Sequence, residues 1–436
     1  MSGQGIGNSS GATQNFVAAC DSSGGQGGIA FSNNAVAGTG TVFTTLANPV
    51  STKDSGIISF VGKSSAGDGT FINNGGVVSN GGQECLTLFY NDSTAADGTF
   101  VNKGGAIAGA VGGGTIFALT SDAGNAVITS EGASVSGASG GVTVFANTAS
   151  AKNATLVADG ELNGGGPGVV EFQNASKGET ARVELFGDGN LDVSVHSSPG
   201  LTIGSMEGGG NVFLGSQNLA VGSNNLNTTF SGIVQDGGLN PEIGGSLTKT
   251  GSAVLTLSGA NTYTGGTIVS DGALVIINKI GSATGTGGVQ LDAGTLGGKG
   301  IIAGAVIVGT GGGTGAFLAP GQGARKPGSL TVQSALNFKA DATYSCTLDS
   351  KKGRADQVIA NGVTIDNGAL FSLVSIGKVR LTQGMVFTAI SNIAATPIAG
   401  AFDNLADGSS FTANGNTFQA DYEGGNGNDL TLTVVP

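Results

Sequence analysis

This chain of 436 residues has little charge and little proline: charged residues are 11%, and there are 8 Pro, 3 Cys and a single His. Disorder would need more charge and fewer apolar residues than the 39% present. One histidine, His196, cannot form a His metal cluster, and it is the one possible base for a Ser-His-Asp triad. Asp192 is nearby, but the GxSxG matches at residues 7 and 137 sit in Gly/Ser-rich sequence with no helix to follow, so His196 is expected to be a turn residue. Cys20, Cys85 and Cys346 are far apart and form no CxxC, which argues against zinc. They are expected to pack as small apolar groups, with one bridge between two of them left open. No run of 18 apolar residues exists, so no helix is expected to span a membrane. Acidic residues outnumber basic ones, 29 to 17, for a charge of -12. That opposes nucleic acid and gives no attraction to anionic membranes.

Glycine is abundant, 83 residues, with no G-X-Y period. Within this background Phe31, Phe60, Phe89, Phe117, Phe145 and Phe172 recur at intervals of 29, 29, 28, 28 and 27 residues. A second register reads Phe43, Phe71, Phe100, Val127, Leu156 and Val183, and a third reads Val50, Val78, Ile107, Val135, Leu162 and Leu191. A period near 28 held over six units marks a stacked repeat rather than a ball-like core. No stretch carries helical apolar spacing. Each unit reads as three short strands separated by turns, one coil of a parallel β-helix. Asn33, Asn91, Asn147 and Asn174 follow the phenylalanines by two residues, where αL turns and a side-chain hydrogen-bond ladder are expected, interrupted at Gly62 and Leu119.

The expected fold is all-β: a single right-handed parallel β-helix, a solenoid, with a C-terminal β cap. With about 15–18 coils at about 4.8 Å each, it would be a rod on the order of 70–90 Å long. Residues 1–26 read as an N-terminal segment or cap, 27–199 as the 28-residue repeats, 200–246 as irregular coils, 279–399 as further coils and 400–436 as the closing cap.

Candidate chemistry is sparse. Asp68, Asp97, Glu131, Asp159, Glu161, Asp188 and Asp192 are scattered on turns. Asp159, Glu161, Asp188 and Asp192 lie in consecutive units and could approach one another, but a solvated face is the expected outcome. GGNGNDLTL at 424–432 partly fits a calcium nonapeptide with Asp429 in the acidic place, yet it occurs once, with Thr431 where an apolar residue belongs. GTGGGTG at 309–315 lacks the Lys-Ser/Thr and the helix of a phosphate loop. The Asn-x-Ser/Thr sites at Asn91, Asn153, Asn174 and Asn227 follow from composition alone. The expectation is no catalytic, cofactor or metal residue and no cofactor.

Residues 247–278, LTKTGSAVLTLSGANTYTGGTIVSDGALVIIN, carry the most specific pattern in the chain, through Leu247, Lys249, Gly251, Leu255, Leu257, Gly259, Asn261, Tyr263, Gly265, Gly266, Thr267, Val269, Gly272, Leu274 and Val275. They resemble the autotransporter-associated β-strand repeat of bacterial autotransporter passenger domains. Leu318 to Gly321 with Pro327 to Val332, and the closing GGNGND turn, resemble later parts of such secreted β-helices. The resemblance implies a secreted or bacterial cell-surface protein whose signal and anchoring segments lie outside this chain, with no β-barrel following. Its implied function is non-catalytic: a structural or adhesive rod that projects from the cell or self-assembles into filaments or matrix. Expected partners are a second copy, end to end through strand edges, and a glycan or surface ligand. The alternative is a carbohydrate-active β-helix enzyme, a polysaccharide lyase or hydrolase.

Overall fold

A computed structural model describes residues 1–436 apart from 22–24, 51–53, 80–81, 314 and 322–325. The described residues form β-strands and turns with no helix. Long parallel sheets dominate, and strands that follow one another in the chain alternate between sheets. This is the connectivity of a β-helix or solenoid. The chain divides into two compact units, Met1–Asn224 with Ser231–Ile243, and Asn225–Phe230 with Gly244–Pro436.

In the first unit each repeat contributes one strand to each of two parallel sheets, pairing with its equivalent one repeat later. Phe31 pairs with Phe60, Phe60 with Phe89, Phe89 with Phe117, Phe117 with Phe145 and Phe145 with Phe172. In-register parallel pairing places equivalent Cα atoms about 4.8 Å apart. The rings therefore stack nearly parallel, with centroids 4.7, 4.7, 4.7, 4.8 and 4.9 Å apart, all fully buried. Phe16, Phe43, Phe71 and Phe100 stack likewise in the other sheet, at 4.9, 5.0 and 4.7 Å. The two columns meet edge to face, at 5.5, 5.6 and 5.7 Å. Offset and edge-on ring contacts add to area burial.

The second register is right except at one residue. Phe100 pairs with Ile128, which pairs with Leu156, while Val127 points outward and is 43% exposed. Side chains alternate along a strand, so an error of one residue changes the face.

The third register is not a strand. Residues 77–79 and 106–109 are bends and turns, and Val50, Ile107 and Leu162 are exposed. Glycine explains this. A Cβ on Gly104 would lie 2.4 Å from the Ala133 Cα, and one on Gly75 would lie 1.9 Å from the Gly104 carbonyl oxygen. The segments stack backbone on backbone and bury small Ala110, Ala133 and Ala138 beneath them. Leu191 is the buried member of that set because it lies in strand Asn190–Asp192, paired with Val170. Each repeat thus has two strands instead of the expected three. Between them runs a line of single-residue bridges, Ser65 to Thr94, Asp122, Ser150 and Lys177.

The αL column lies where the asparagines place it. Asn33, Asn91, Asn147 and Asn174 have φ of 59°, 58°, 59° and 56°, and Gly62 and Leu119 share the conformation at 71° and 63°. The Leu119 and Asn147 amides each donate to the Oδ1 of the next Asn, both at 3.2 Å, so the ladder runs from side chain to backbone.

The core also holds a polar column that the sequence pattern did not announce. Thr45, Asn73, Asn102 and Ser130 follow one register, and Thr87, Thr115 and Thr143 face them, all fully buried. Asn73 Nδ2 donates to Asn102 Oδ1 (2.8 Å), and Asn102 Nδ2 donates to Thr143 Oγ1 (3.1 Å) and the Val142 carbonyl (2.9 Å). Thr115 donates to Asn102 Oδ1 (2.8 Å). Because the members partner one another, the column avoids the penalty of buried unpaired polar groups. Cys85 is buried beside it, its thiol pushed up to about 11 by burial, and the three cysteines are unbridged.

Residues 200–246, expected to be irregular, hold regular parallel strands. Leu201 pairs with Leu219 in an added sheet, and the pairing interval shortens to 18 residues there and to 22 between Val212 and Val234.

The second unit keeps the shorter interval. Leu255 pairs with Leu274, Leu274 with Leu296 and Leu296 with Leu318, all buried. A sheet holding Ser329–Val332, Gln357–Ala360 and Val386–Asn392 is parallel to that point. It then turns antiparallel through Asp429–Val435, Asn416–Gly424 and Ser410–Ala413.

Two substitutions check the register and the turn column. Ile128→Ala should cost about 2–5 kcal/mol in urea unfolding, whereas Val127→Ala should stay within about 0.5 kcal/mol. Leu119→Asn should raise stability by about 1 kcal/mol, because a half-exposed leucine held in the left-handed region is relieved by a residue that tolerates it.

Candidate functional site

The residues singled out from sequence are mostly tied into the backbone. His196 is buried, and its Nδ1 and Nε2 each lie 2.7 Å from a carbonyl oxygen, of Ser197 and Ser176. Asp192 is turned elsewhere. Its Oδ1 accepts the Ser194 amide (2.8 Å) and hydroxyl (2.6 Å), and its Oδ2 accepts the Leu239 amide (2.8 Å). Both ring nitrogens of His196 are thus engaged by backbone rather than by Asp192.

Of the four acids that consecutive units could bring together, two come into contact, through a backbone amide. Asp188 Oδ1 accepts the Glu161 amide at 2.7 Å, and Glu161 Oε2 accepts the amides of Gly164 (2.5 Å) and Gly165 (3.1 Å). These carboxylates fasten turns. Asp159 is half-buried, and burial pushes its carboxyl up. Asp429 accepts the Asn392 amide at 2.9 Å. Residues 310–313 of the glycine-rich stretch do hold an anion, but an internal one. The amides of Thr310 (3.1 Å), Gly311 (2.7 Å) and Gly313 (2.8 Å) all donate to the Asp341 carboxylate. Burial opposes that charge, but these donors outweigh it and hold the Asp341 carboxyl below the usual range. Among the described residues no group of three or more His, Cys, Asp or Glu is placed to hold a metal.

The repeats also form a cleft of about 600 Å³ that holds two carboxylates. Its floor is Val142 and Val169, paired in register on the outer face of the Phe31–Phe172 sheet. Its wall is the glycine stack, where a Cβ on Gly140 would lie 1.9 Å from the Pro167 carbonyl oxygen. Glu84 and Glu171 both line it. Burial pushes both carboxyls up. For Glu171 the charges of Asp192 and Glu84 add to that, against a 2.8 Å hydrogen bond from Gln173. The lining includes no Arg, Lys, His or aromatic side chain. The cleft therefore offers neither a counter-charge for a polyuronate nor a sugar-stacking ring. Sequence reasoning missed Glu84 and Glu171. The signal was present for Glu171, which follows Ile116 and Val144 in register and pairs on its other side with Asp192, so that two carboxylates succeed an apolar run.

The most specific sequence segment proves to be a set of structural fasteners. Lys249 is 1% exposed, and its Nζ donates to the carbonyls of Thr250 (2.6 Å), Gly251 (2.8 Å) and Asp271 (3.3 Å). Burial pulls its pKa down. Tyr263 is fully buried with its hydroxyl 2.6 Å from Thr267 Oγ1, and Asn261 Nδ2 donates to the Ala283 carbonyl. Gly272 has φ 66°, and a Cβ there would lie 2.3 Å from the Gly251 carbonyl oxygen. Leu247, Leu255, Leu257, Leu274 and Ile276 fill the core.

Residues 247–276 match the passenger-associated-transport-repeat family model. The match supports an autotransporter passenger-like repeat protein, and it covers a short part of the chain. Comparison with curated proteins finds no match. No helix among the described residues is long and apolar enough to cross a membrane. Within the repeat, Lys249→Met keeps the bulk and removes the donors, leaving three carbonyls without their ammonium partner. Urea unfolding followed by circular dichroism should show a loss of about 2–3 kcal/mol.

Proposed function

We propose that this chain is an extracellular, passenger-like β-solenoid with a non-catalytic structural or adhesive role. The observation that carries this reading is the repeat at 247–276, whose buried Lys249, Asn261 and Tyr263 are engaged within the fold. The parallel sheets, with antiparallel strands at 410–435, support a single right-handed helix closed by a β cap. Open strand edges are templates for strand addition. Strand Gln14–Ala18 pairs with Thr41–Thr45 along one edge, and it carries no charged residue that would repel a second copy. That edge supports self-association into filaments or matrix at the cell surface as the structural role.

A second reading, a carbohydrate-active enzyme, rests on the cleft holding Glu84 and Glu171. Electron microscopy across a concentration series separates the two. Regular fibres whose growth is blocked by Val17→Lys would support the structural role. A protein that stays monomeric and degrades a glycan, with turnover abolished in the Glu84→Gln and Glu171→Gln variants, would replace it with the enzyme.

A further inference from the structure

The second unit holds a separate cleft of about 420 Å³, with chemistry opposite to that of the first. Its wall is built from strand Ser329–Val332 and strand Gln357–Ala360, where Ser329 and Gln357 are paired in register. Parallel pairing sets their side chains about 4.8 Å apart on the same face. Thr388, from strand Val386–Asn392, completes a set of three neutral hydrogen-bonding groups. Arg354 also lines the cleft.

Two observations mark this as a place prepared for a ligand. The Ser329 hydroxyl is buried and has no hydrogen-bond partner among the described residues. Buried hydroxyls are nearly always satisfied, so an orphan beside a cleft points to a group that enters from outside. The second observation is Arg354. Among the described residues its guanidinium has no ion pair, although Asp349 stands opposite it in the antiparallel strand pair and is 3.8 Å from Lys352 instead. A guanidinium offers a fork of donors matched to a carboxylate or sulfate.

The local charge agrees. The chain carries -12 overall, yet Lys351, Lys352 and Arg354 are three of its 17 basic residues within four positions, and Lys326 precedes the lining residue Pro327. The wall is held from behind. Asp356, just before strand Gln357–Ala360 and fully buried, accepts the amides of Gly328 (2.8 Å) and Thr347 (2.8 Å).

We propose that this cleft binds an acidic saccharide, with Arg354 taking the carboxylate or sulfate and with Ser329, Gln357 and Thr388 taking hydroxyls of the same sugar. One charged group among several neutral donors and acceptors fits a ring bearing one oxyanion and several hydroxyls. This gives the adhesive reading a ligand class, and it rests on that reading for its biological sense. The binding test itself is independent of self-assembly.

The test is an NMR or calorimetric titration of the full chain with glucuronate, galacturonate, glucose 6-sulfate, glucose and acetate. A uronate or the sugar sulfate should bind with Kd of about 1 mM, a typical single-sugar affinity, and the stronger of the two identifies the oxyanion. Glucose and acetate should each bind at least about tenfold more weakly. Arg354→Gln should weaken the saccharide about tenfold, and Ser329→Ala and Gln357→Ala each severalfold. Arg354 is exposed and has no ion pair among the described residues, so its variant should keep the circular dichroism and unfolding midpoint of the parent. Acetate binding as tightly as glucuronate would overturn the saccharide assignment in favour of a bare oxyanion site. No binding at about 20 mM sugar, or binding indifferent to Arg354→Gln, would overturn the proposal outright. Filament formation would be unaffected by either failure.

Discussion

In-register parallel pairing governs everything else in this protein. When each strand lies on its equivalent one repeat later, every side chain rests on its own counterpart about 4.8 Å away. Like must therefore tolerate like. Phenylalanine meets this requirement by stacking, as the column from Phe31 to Phe172 does. Asparagine and threonine meet it by donating along the column, as Asn73 does to Asn102. Glycine meets it by letting backbones touch, as at Gly104 over Ala133. Opposite charges meet it by pairing between repeats, as Lys152 does 3.4 Å from Glu179 in the next one. A chain built this way has little use for charge in its repeats, which explains the low charged fraction.

The same rule shows where to look for function. A residue that breaks its column is not explained by stacking. Glu171 ends the apolar run of Ile116 and Val144 and lines the acidic cleft; Ser329 and Arg354, whose hydroxyl and guanidinium have no hydrogen-bond or ion-pair partner, respectively, among the described residues, line the basic one. By contrast, motif residues that look chemically active when read singly, such as His196, Lys249, Tyr263 and Asp341, are satisfied by backbone carbonyls, amides or a neighbouring hydroxyl. The family match falls on the second kind, so it speaks for the construction of the fold rather than for a site.

The two units meet the stacking constraint with different intervals. The first repeats every 27–29 residues up to Phe172, with two strands and a glycine stack per turn. The second repeats every 19–22 residues between Leu255 and Leu318. Its corners use single fasteners such as Lys249 and Asn261 where the first uses runs of αL asparagine and glycine.

The sequence by itself determined the class of fold and the two aromatic columns, because a 28-residue period in large apolar residues has one compact solution, stacking. It also determined the αL column, since few residues besides Asn and Gly hold that conformation without strain. It misplaced Val127 for Ile128, because adjacent β-branched residues look alike until pairing assigns a face. It misread the third register as a strand, because the conflict between a Gly104 Cβ and Ala133 exists only between repeats. The clefts were invisible for the same reason. Glu84 and Glu171 are 87 residues apart, and Ser329, Arg354 and Thr388 come from three separate segments. What a column contains is written along the chain; what two columns enclose between them is decided only when the coils stack.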